Sequence, residues 1–248
     1  MKIGFVGFGI VGSACGAGFK SLSHEILVHD IKFNTKVEVL REAEIIFVCV
    51  PTPLGISGEC DISIVENCIS ELKDASIEGL ICIKSTVVPG TTVMLSNKYG
   101  IDIAFVPEFL RERCAEHDFI NNHDLLAIGT DNEEFQKKII KCHGHLPKSI
   151  RILSPTEAEL IKYFSNVFNA LKVVFANNFY EIAEKLDADY NVIIDAYLQR
   201  DIGKADYLKV SNELRGYGGS CLPKDTKALI ALSKRLNLDL SLIESIDK

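Results

Sequence analysis

Six glycines fall within the first eighteen residues, at 4, 7, 9, 12, 16 and 18, and they decide what the N-terminus can become. Ile3 to Phe19 carries no charge and follows Lys2, the profile of an export leader. Glycine, however, is about 1 kcal/mol poorer than alanine in a helix interior, so this stretch makes a poor apolar helix. Three of the six form Gly7-Phe8-Gly9-Ile10-Val11-Gly12, with a strand candidate at 2–6 before them and a helix candidate at 10–21 after. In that setting the first glycine permits a tight turn, the second lets backbone approach a diphosphate, and the third brings helix close to strand. The diphosphate of a dinucleotide would rest on the helix N-terminus, where unpaired N–H groups and the dipole favour negative charge. Asp30 ends the second strand, eighteen residues beyond Gly12. A carboxylate there accepts hydrogen bonds from the adenosine ribose and repels a 2′-phosphate, which favours NAD over NADP; Lys32 and Lys36 nearby pull the other way.

The chain has 248 residues, enough for one large domain or two smaller ones at roughly 100–200 residues each. Short apolar runs at 2–6, 25–29, 45–50, 80–84, 102–106, 125–128 and 149–153 alternate with helical patterns near 10–21, 61–74, 90–98 and 132–142. That alternation is the signature of βαβ units and a parallel sheet. The pattern changes at Ser154-Pro155, where a serine N-cap, a proline suited to the first turn and Glu157 form a capping box. One long helix is expected from there to about Leu186, followed by helices near 189–199 and 224–237. The expected architecture is α/β: a Rossmann-type, doubly wound, mostly parallel sheet over 1–154, then an all-helical domain over 155–248.

Composition narrows the partners. With 27 Lys+Arg against 34 Asp+Glu the net charge is −7, so the chain lacks the basic footprint of a nucleic-acid binder. No segment reaches the ~20 apolar residues that span a bilayer, and a cytoplasmic protein is expected. The eight cysteines lack any C-x-x-C pair and lie within apolar segments, which fits reduced thiols better than a disulfide framework. Cys142-His143-Gly144-His145 has ligand types for zinc but no fourth ligand at a recognisable spacing, so it reads as a helix end, and no metal is expected.

In open α/β sheets the ligand lies outside the carboxyl ends of the strands. Pro51-Thr52-Pro53, Ser85-Thr86 and Pro107-Glu108-Phe109-Leu110-Arg111-Glu112 all follow strand candidates and so share that edge. On the long helix Lys162 and Asn166 are four apart and face one way. The segment Gly216-Tyr217-Gly218-Gly219-Ser220-Cys221-Leu222-Pro223-Lys224-Asp225 delivers a cysteine on a glycine-rich loop just before a helix, with Pro223 expected at its first position. A thiol there, with Lys224 alongside, has its thiolate favoured and suits covalent attack on a carbonyl. The other seven cysteines read as packing residues.

These segments resemble the UDP-glucose/GDP-mannose dehydrogenase family. The match runs through the glycine turn with Asp30, Val50-Pro51-Thr52-Pro53, Lys84-Ser85-Thr86-Val87, Pro107 to Glu112, Glu159-Leu160-Ile161-Lys162 with Asn166, and Tyr217 to Asp225, in the family's order. The resemblance implies a four-electron oxidation of the C6 alcohol of a nucleotide sugar, with two NAD⁺ used in succession. It makes Cys221 the nucleophile, passing through a thiohemiacetal and a thioester. Asp225 would position or deprotonate a water, Lys162 and Asn166 would stabilise oxyanions, and Glu108 would serve thioester hydrolysis. It implies that Thr52, Thr86, Glu112 and Lys224 line the cofactor with Gly7, Gly9, Gly12 and Asp30, Thr86 also counting among the catalytic residues. Glu108, Phe109, Leu110, Arg111, Lys162, Asn166, Tyr217 and Gly218 would meet the substrate, with UDP-glucose the first guess. A homodimer through the helix at 155–186 is implied too.

Departures from the family are equally plain. Its glycine after Arg-Glu is Arg113 here, and the stretch from Lys204 to Arg215 is longer and lacks the usual proline. Arg200 is the nearest counterpart to an arginine the family supplies from a partner subunit. The family's C-terminal nucleotide-binding domain is expected to be absent. Two other readings remain: a two-electron β-hydroxyacid-type dehydrogenase using Lys162 without the cysteine, and a chain that binds NAD and assembles without turnover.

Overall fold

Seven short segments become strands of one sheet, and the central ones read as continuous apolar runs because both their faces are covered. The computed structural model describes residues 1–55, 58–200, 207, 208, 210, 211, 215–219, 221–238 and 241–247. It divides into a first unit, Met1–Pro53 with Cys60–Lys162, and a second, Leu54–Glu59 with Tyr163–Lys248.

In the first unit the strands are β1 (Lys2–Val6), β2 (Glu25–His29), β3 (Ile45–Val48), β4 (Leu80–Ile83), β5 (Ile103–Phe105), β6 (Leu126–Gly129) and β7 (Ile150–Leu153). Their order among the described residues is β2-β1-β3-β4-β5-β6-β7. Pairing is parallel from β2 through β5, reverses where Phe105 faces Gly129, and is parallel again between β6 and β7. The chain winds one way from β1 to β2 and returns past β1 to β3, a doubly wound, Rossmann-type sheet.

The flanking helices are α1 (Ile10–Ser21), α2 (Ser63–Asp74), α3 (Thr91–Tyr99), α4 (Ala115–Asn121) and α5 (Glu133–His143). Alternate strand residues feed two cores: Ile46 and Val48 pack with Val65, Ile69, Leu72 and Leu95, while Ile45 and Phe47 pack with Cys15, Phe19, Phe119 and Ile139. Helix α4 is not foreseen in the sequence. Its seven residues are too few to show a helical period, and Phe119, 1% exposed, anchors it.

The capping box forms as expected: Glu157 Oε2 accepts from Ser154 N and Oγ, each at 2.8 Å, and Glu157 N donates to Ser154 Oγ. It starts α6 (Pro155–Lys185), whose residues from Tyr163 onward belong to the second unit. There α7 (Tyr190–Leu198), α8 (Leu222–Arg235) and α9 (Ser241–Ile246) follow. Tyr180, Ala183 and Tyr190 form one small core; Val167, Ala170 and Ile246 form another with Leu222 and Leu229. Cys221 is the N-cap of α8, so Pro223 takes the second helical position rather than the first. Six-residue α9 is also absent from the sequence reading, again for want of length. Among the described residues no helix is long and apolar enough to cross a membrane.

The cysteines form no disulfide. Burial pushes the thiols of Cys15 up to about 12 and Cys68 up to about 11, and raises those of Cys49, Cys82 and Cys142 as well. These five are protonated packing groups. Cys114 departs from that description: it is half-buried and its thiol donates to Asp118.

His143 closes α5, with Nδ1 2.8 Å from Ile139 O and its ring edge-on to Phe19 and Phe47. Burial, helped by the Lys84 charge, holds His143 well below the usual imidazole value and brings neighbouring His123 down to about 4. Between pH 6.5 and 4 the unfolded chain therefore takes up protons that the folded chain refuses, so stability falls as pH falls. Replacing His123→Phe is expected to remove about 2 kcal/mol of the loss between pH 6.5 and 4.5, read by urea unfolding at the two pH values. An unchanged loss would show that His123 titrates alike in both states.

Candidate active site

A dinucleotide crevice opens where a doubly wound sheet reverses, here beyond the carboxyl ends of β1 and β3. Gly7 follows β1 at φ +85°, where a Cβ would lie 2.7 Å from Cys49 O. A Cβ on Gly12 would lie 2.4 Å from Gly7 O, so helix and turn are pressed together there. Gly9, the N-cap of α1, has nothing within 4 Å of that position. The three glycines thus divide their work as turn, open approach and close packing, and the open approach fits a diphosphate at the helix N-terminus.

Asp30 is 8% exposed and accepts from Phe8 N at 2.6 Å and Lys32 N at 2.7 Å. Burial opposes its charge, but those two N–H bonds outweigh it and hold the carboxyl below its ordinary value. An ionised carboxylate has about four acceptor positions, so capacity remains for ribose hydroxyls. Thr52 follows β3 and Thr86 follows β4. The Thr52 hydroxyl donates to Thr86 O at 2.8 Å and Ser85 Oγ donates to Val50 O at 2.7 Å, which sews the two loops together. Thr52 is 7% exposed, and its hydroxyl proton goes to that bond.

Glu108 sits on the loop after β5. Lys162, 4% exposed on the first turns of α6, donates to Glu108 O at 2.7 Å and stands 3.1 Å from Glu108 Oε1. Glu108 Oε2 accepts from Leu110 N at 2.7 Å, and the Lys162 ammonium lies 5.7 Å from the centre of the Phe109 ring. Arg111, expected against substrate, grips Asp118 here: Nε and Nη2 lie 2.8 and 2.7 Å from its two oxygens. That guanidinium holds the Asp118 carboxyl well below the usual carboxylate range. Glu112 is exposed in a short 3-10 turn.

Lys162 is itself placed by Glu159, one turn earlier. Glu159 is fully buried and accepts from Gly90 N, Thr92 N and Thr92 Oγ1 at 2.6–2.8 Å, tying α6 to the start of α3. Burial raises its carboxyl pKa against the pull of those bonds.

In the second unit Asn166 Nδ2 donates to Asp225 Oδ2 at 2.5 Å, and Lys224 Nζ lies 2.7 Å from Asp225 Oδ1. Asp225 is 0% exposed and Asn166 8%. Four residues before Asp225, Cys221 is exposed at the helix N-cap. Tyr217 is half-buried with its hydroxyl 3.4 Å from Asp247, and burial raises its pKa. Gly218 is exposed, Gly219 takes φ +80°, and Ser220 lies outside the described residues. Lys162 and Asn166, read from the sequence as one pair on one face, therefore bind different carboxylates. Asp118, a hub for the Glu108 loop, escaped the sequence reading because nothing in a short polar helix marks which acid faces inward.

The reversed sheet, the glycine turn and Asp30 together define a dinucleotide-binding α/β domain. Residues 29–146 match the NAD binding domain of the UDP-glucose/GDP-mannose dehydrogenase family, and residues 156–248 match that family's central domain. A UDP-glucose 6-dehydrogenase of Rickettsia bellii is 35% identical over 237 residues, covering 92% of this chain and 53% of that protein. The UDP-glucose 6-dehydrogenase TuaD of Bacillus subtilis is 32% identical, with 86% and 47% covered. A solved UDP-glucose dehydrogenase of Pyrobaculum islandicum superposes with a TM-score of 0.88 at 26% identity, over 99% of this chain and 66% of that one. The chain belongs to the UDP-glucose/GDP-mannose dehydrogenase family, and NAD is its cofactor. It spans about half the length of these two curated relatives.

The glycine turn gives a divided test. A Cβ at Gly9 meets no neighbour, so Gly9→Ala is expected to shift melting without NAD by no more than a few degrees, the cost of a poorer N-cap, while NAD affinity falls at least about tenfold. Gly12→Val meets Gly7 O and is expected to cost about 1–3 kcal/mol before any ligand is added. Thermal melts with and without NAD separate the two; equal apo melting of both variants would refute the assignment.

Proposed function

We propose that this chain carries out NAD-dependent, four-electron oxidation of the C6 hydroxyl of a nucleotide sugar to a carboxylate, UDP-glucose being the first substrate to test. The observation that carries the reading is the setting of Cys221. It is exposed at the N-cap of α8, one turn from the buried Asp225 that Asn166 and Lys224 hold, whereas burial keeps five other thiols protonated. The names of the curated relatives support the substrate class.

Overall, CH2OH and one water become COO⁻, two hydrides and three protons. NAD supplies the acceptor for each hydride. Between the two oxidations the Cys221 sulfur adds to the C6 aldehyde to give a thiohemiacetal, and the second oxidation leaves a thioester. Water then breaks the C–S bond, releasing the carboxylate and the thiol. Lys162 and Asn166 are the donors assigned to the oxygen that turns negative, where a cation and an amide lower the barrier most. Asp225 orients or deprotonates the water, Glu108 serves the hydrolysis, and Thr86 lines the reacting centre. Covalent capture keeps a reactive aldehyde from escaping.

The reading includes a homodimer through α6 and a cytoplasmic setting, where thiols stay reduced. In its favour, Phe164, Phe168, Phe175, Phe179 and Ile182 are exposed along that helix, four or three residues apart except for one step of seven. Such a stripe suits a partner surface. The domain division that goes with it is a cofactor domain over 1–154 and a helical domain over 155–248.

Wild-type chain with UDP-glucose is expected to release two NADH per sugar consumed, and Cys221→Ser at most one, because a serine adduct yields no thioester. Two NADH from Cys221→Ser would refute the nucleophile. One NADH from the wild type would favour two-electron chemistry, and none from any nucleotide sugar would refute turnover by this chain.

A further inference from the structure

The loop from Pro107 to Cys114 carries Glu108, yet apart from a three-residue 3-10 turn at Glu112–Cys114 it has no regular backbone pairing of its own. Charged side chains hold it instead. At its root the buried ammonium of Lys84, 3% exposed over the rings of Phe47 and Phe119, donates to Val106 O at 3.1 Å. Two residues on, Lys162 takes Glu108 O. The far end closes on one carboxylate. Asp118 of α4, 5% exposed, accepts from Arg111 N at 3.0 Å, Arg111 Nε, Arg111 Nη2, Cys114 Sγ at 3.5 Å and Asn122 Nδ2 at 3.3 Å.

Burying an ionised carboxylate costs several kcal/mol unless its lone pairs are met, and five donors on one carboxylate is a full complement. Two of the donors form a planar fork that lysine cannot copy. The segment they span starts one residue after Leu110, whose N–H fixes Glu108 Oε2.

We propose that Asp118 is a positioning residue: with Arg111 as its strut it sets the backbone at 110–111, and thereby the direction of the Glu108 carboxylate. Arg111 belongs to this clamp rather than to substrate binding. The catalytic consequence rests on the function proposed above; the geometric one does not.

Two readouts keep these apart. The first is hydrogen exchange of the Leu110 amide, which bonds to Glu108 and not to Asp118. Asp118→Asn and Arg111→Gln are each expected to speed its exchange at least about tenfold while the melting temperature of the chain stays within a few degrees; Arg111→Lys falls between. Leu110 exchange equal to wild type in both variants overturns the proposal, whether or not the chain turns over. If Asp118→Asn fails to fold, Arg111→Gln alone decides, since it leaves the acid in place.

The second readout is steady-state kinetics on any nucleotide sugar that the wild type oxidises. Displacement of a catalytic group by about 1 Å costs on the order of a hundredfold. Asp118→Asn, Arg111→Gln and the double variant are expected to share one drop in kcat, with KM within about threefold of wild type. A rise in KM from Arg111→Gln alone, with kcat unchanged, would return Arg111 to the substrate and overturn the clamp. An inactive wild type with accelerated Leu110 exchange in the variants would refute the proposed function and leave the clamp standing.

Discussion

Two side chains one turn apart, Glu159 and Lys162, tie the first turns of α6 to the loops of the sheet in the same unit. Glu159 supplies the carboxylate that the N-terminus of α3 lacks, and Lys162 reaches the loop after β5. Both are buried charges, which are costly unless fully bonded. Each is repaid by specific donors or acceptors from a different element. The arrangement is demanding in a useful way: a small rotation of those first turns would strand both side chains at once. Glu159 and Lys162 therefore owe their placement to electrostatic satisfaction more than to apolar packing.

The same logic recurs along the strand ends. Asp30, Lys84, Asp118 and Glu159 are all nearly sealed from solvent, and backbone N–H or C=O groups are among their partners. Loops at the carboxyl edge of a parallel sheet have no ladder to complete. Charged side chains thus do for them what neighbouring strands do for β3 and β4. Apolar residues decide where the sheet is, and buried ions decide what its rim looks like.

That division explains what could be read in advance. Apolar runs and glycine positions are local signals, so the strands, α1 and the capping box at Ser154 fall where the sequence places them, within a residue or two. Gly7, Gly9 and Gly12 could even be given separate tasks, because each depends on backbone geometry within a few residues. Partner choice is different. Nothing in the spacing of Lys162 and Asn166 tells that one takes Glu108 and the other Asp225, since those carboxylates lie 54 and 59 residues away. Arg111 reads as a substrate contact with no sign of Asp118, which α4 brings to it, and α4 is too short to announce itself. The long-range ion pairs were illegible for the same reason that they matter: they join segments that share no local pattern.

The sulfur content of this chain takes on another meaning once burial is considered. Cys15, Cys49, Cys68, Cys82 and Cys142 are held as neutral thiols in apolar surroundings, and thiolate is the form that electrophiles and peroxides attack. In the core they behave as compact hydrocarbon-like spacers, chemically silent under conditions that modify surface cysteine. Cys221 has no such shelter. Oxidation would thus reach exposed Cys221 before these five, and the fold they pack would outlast the change.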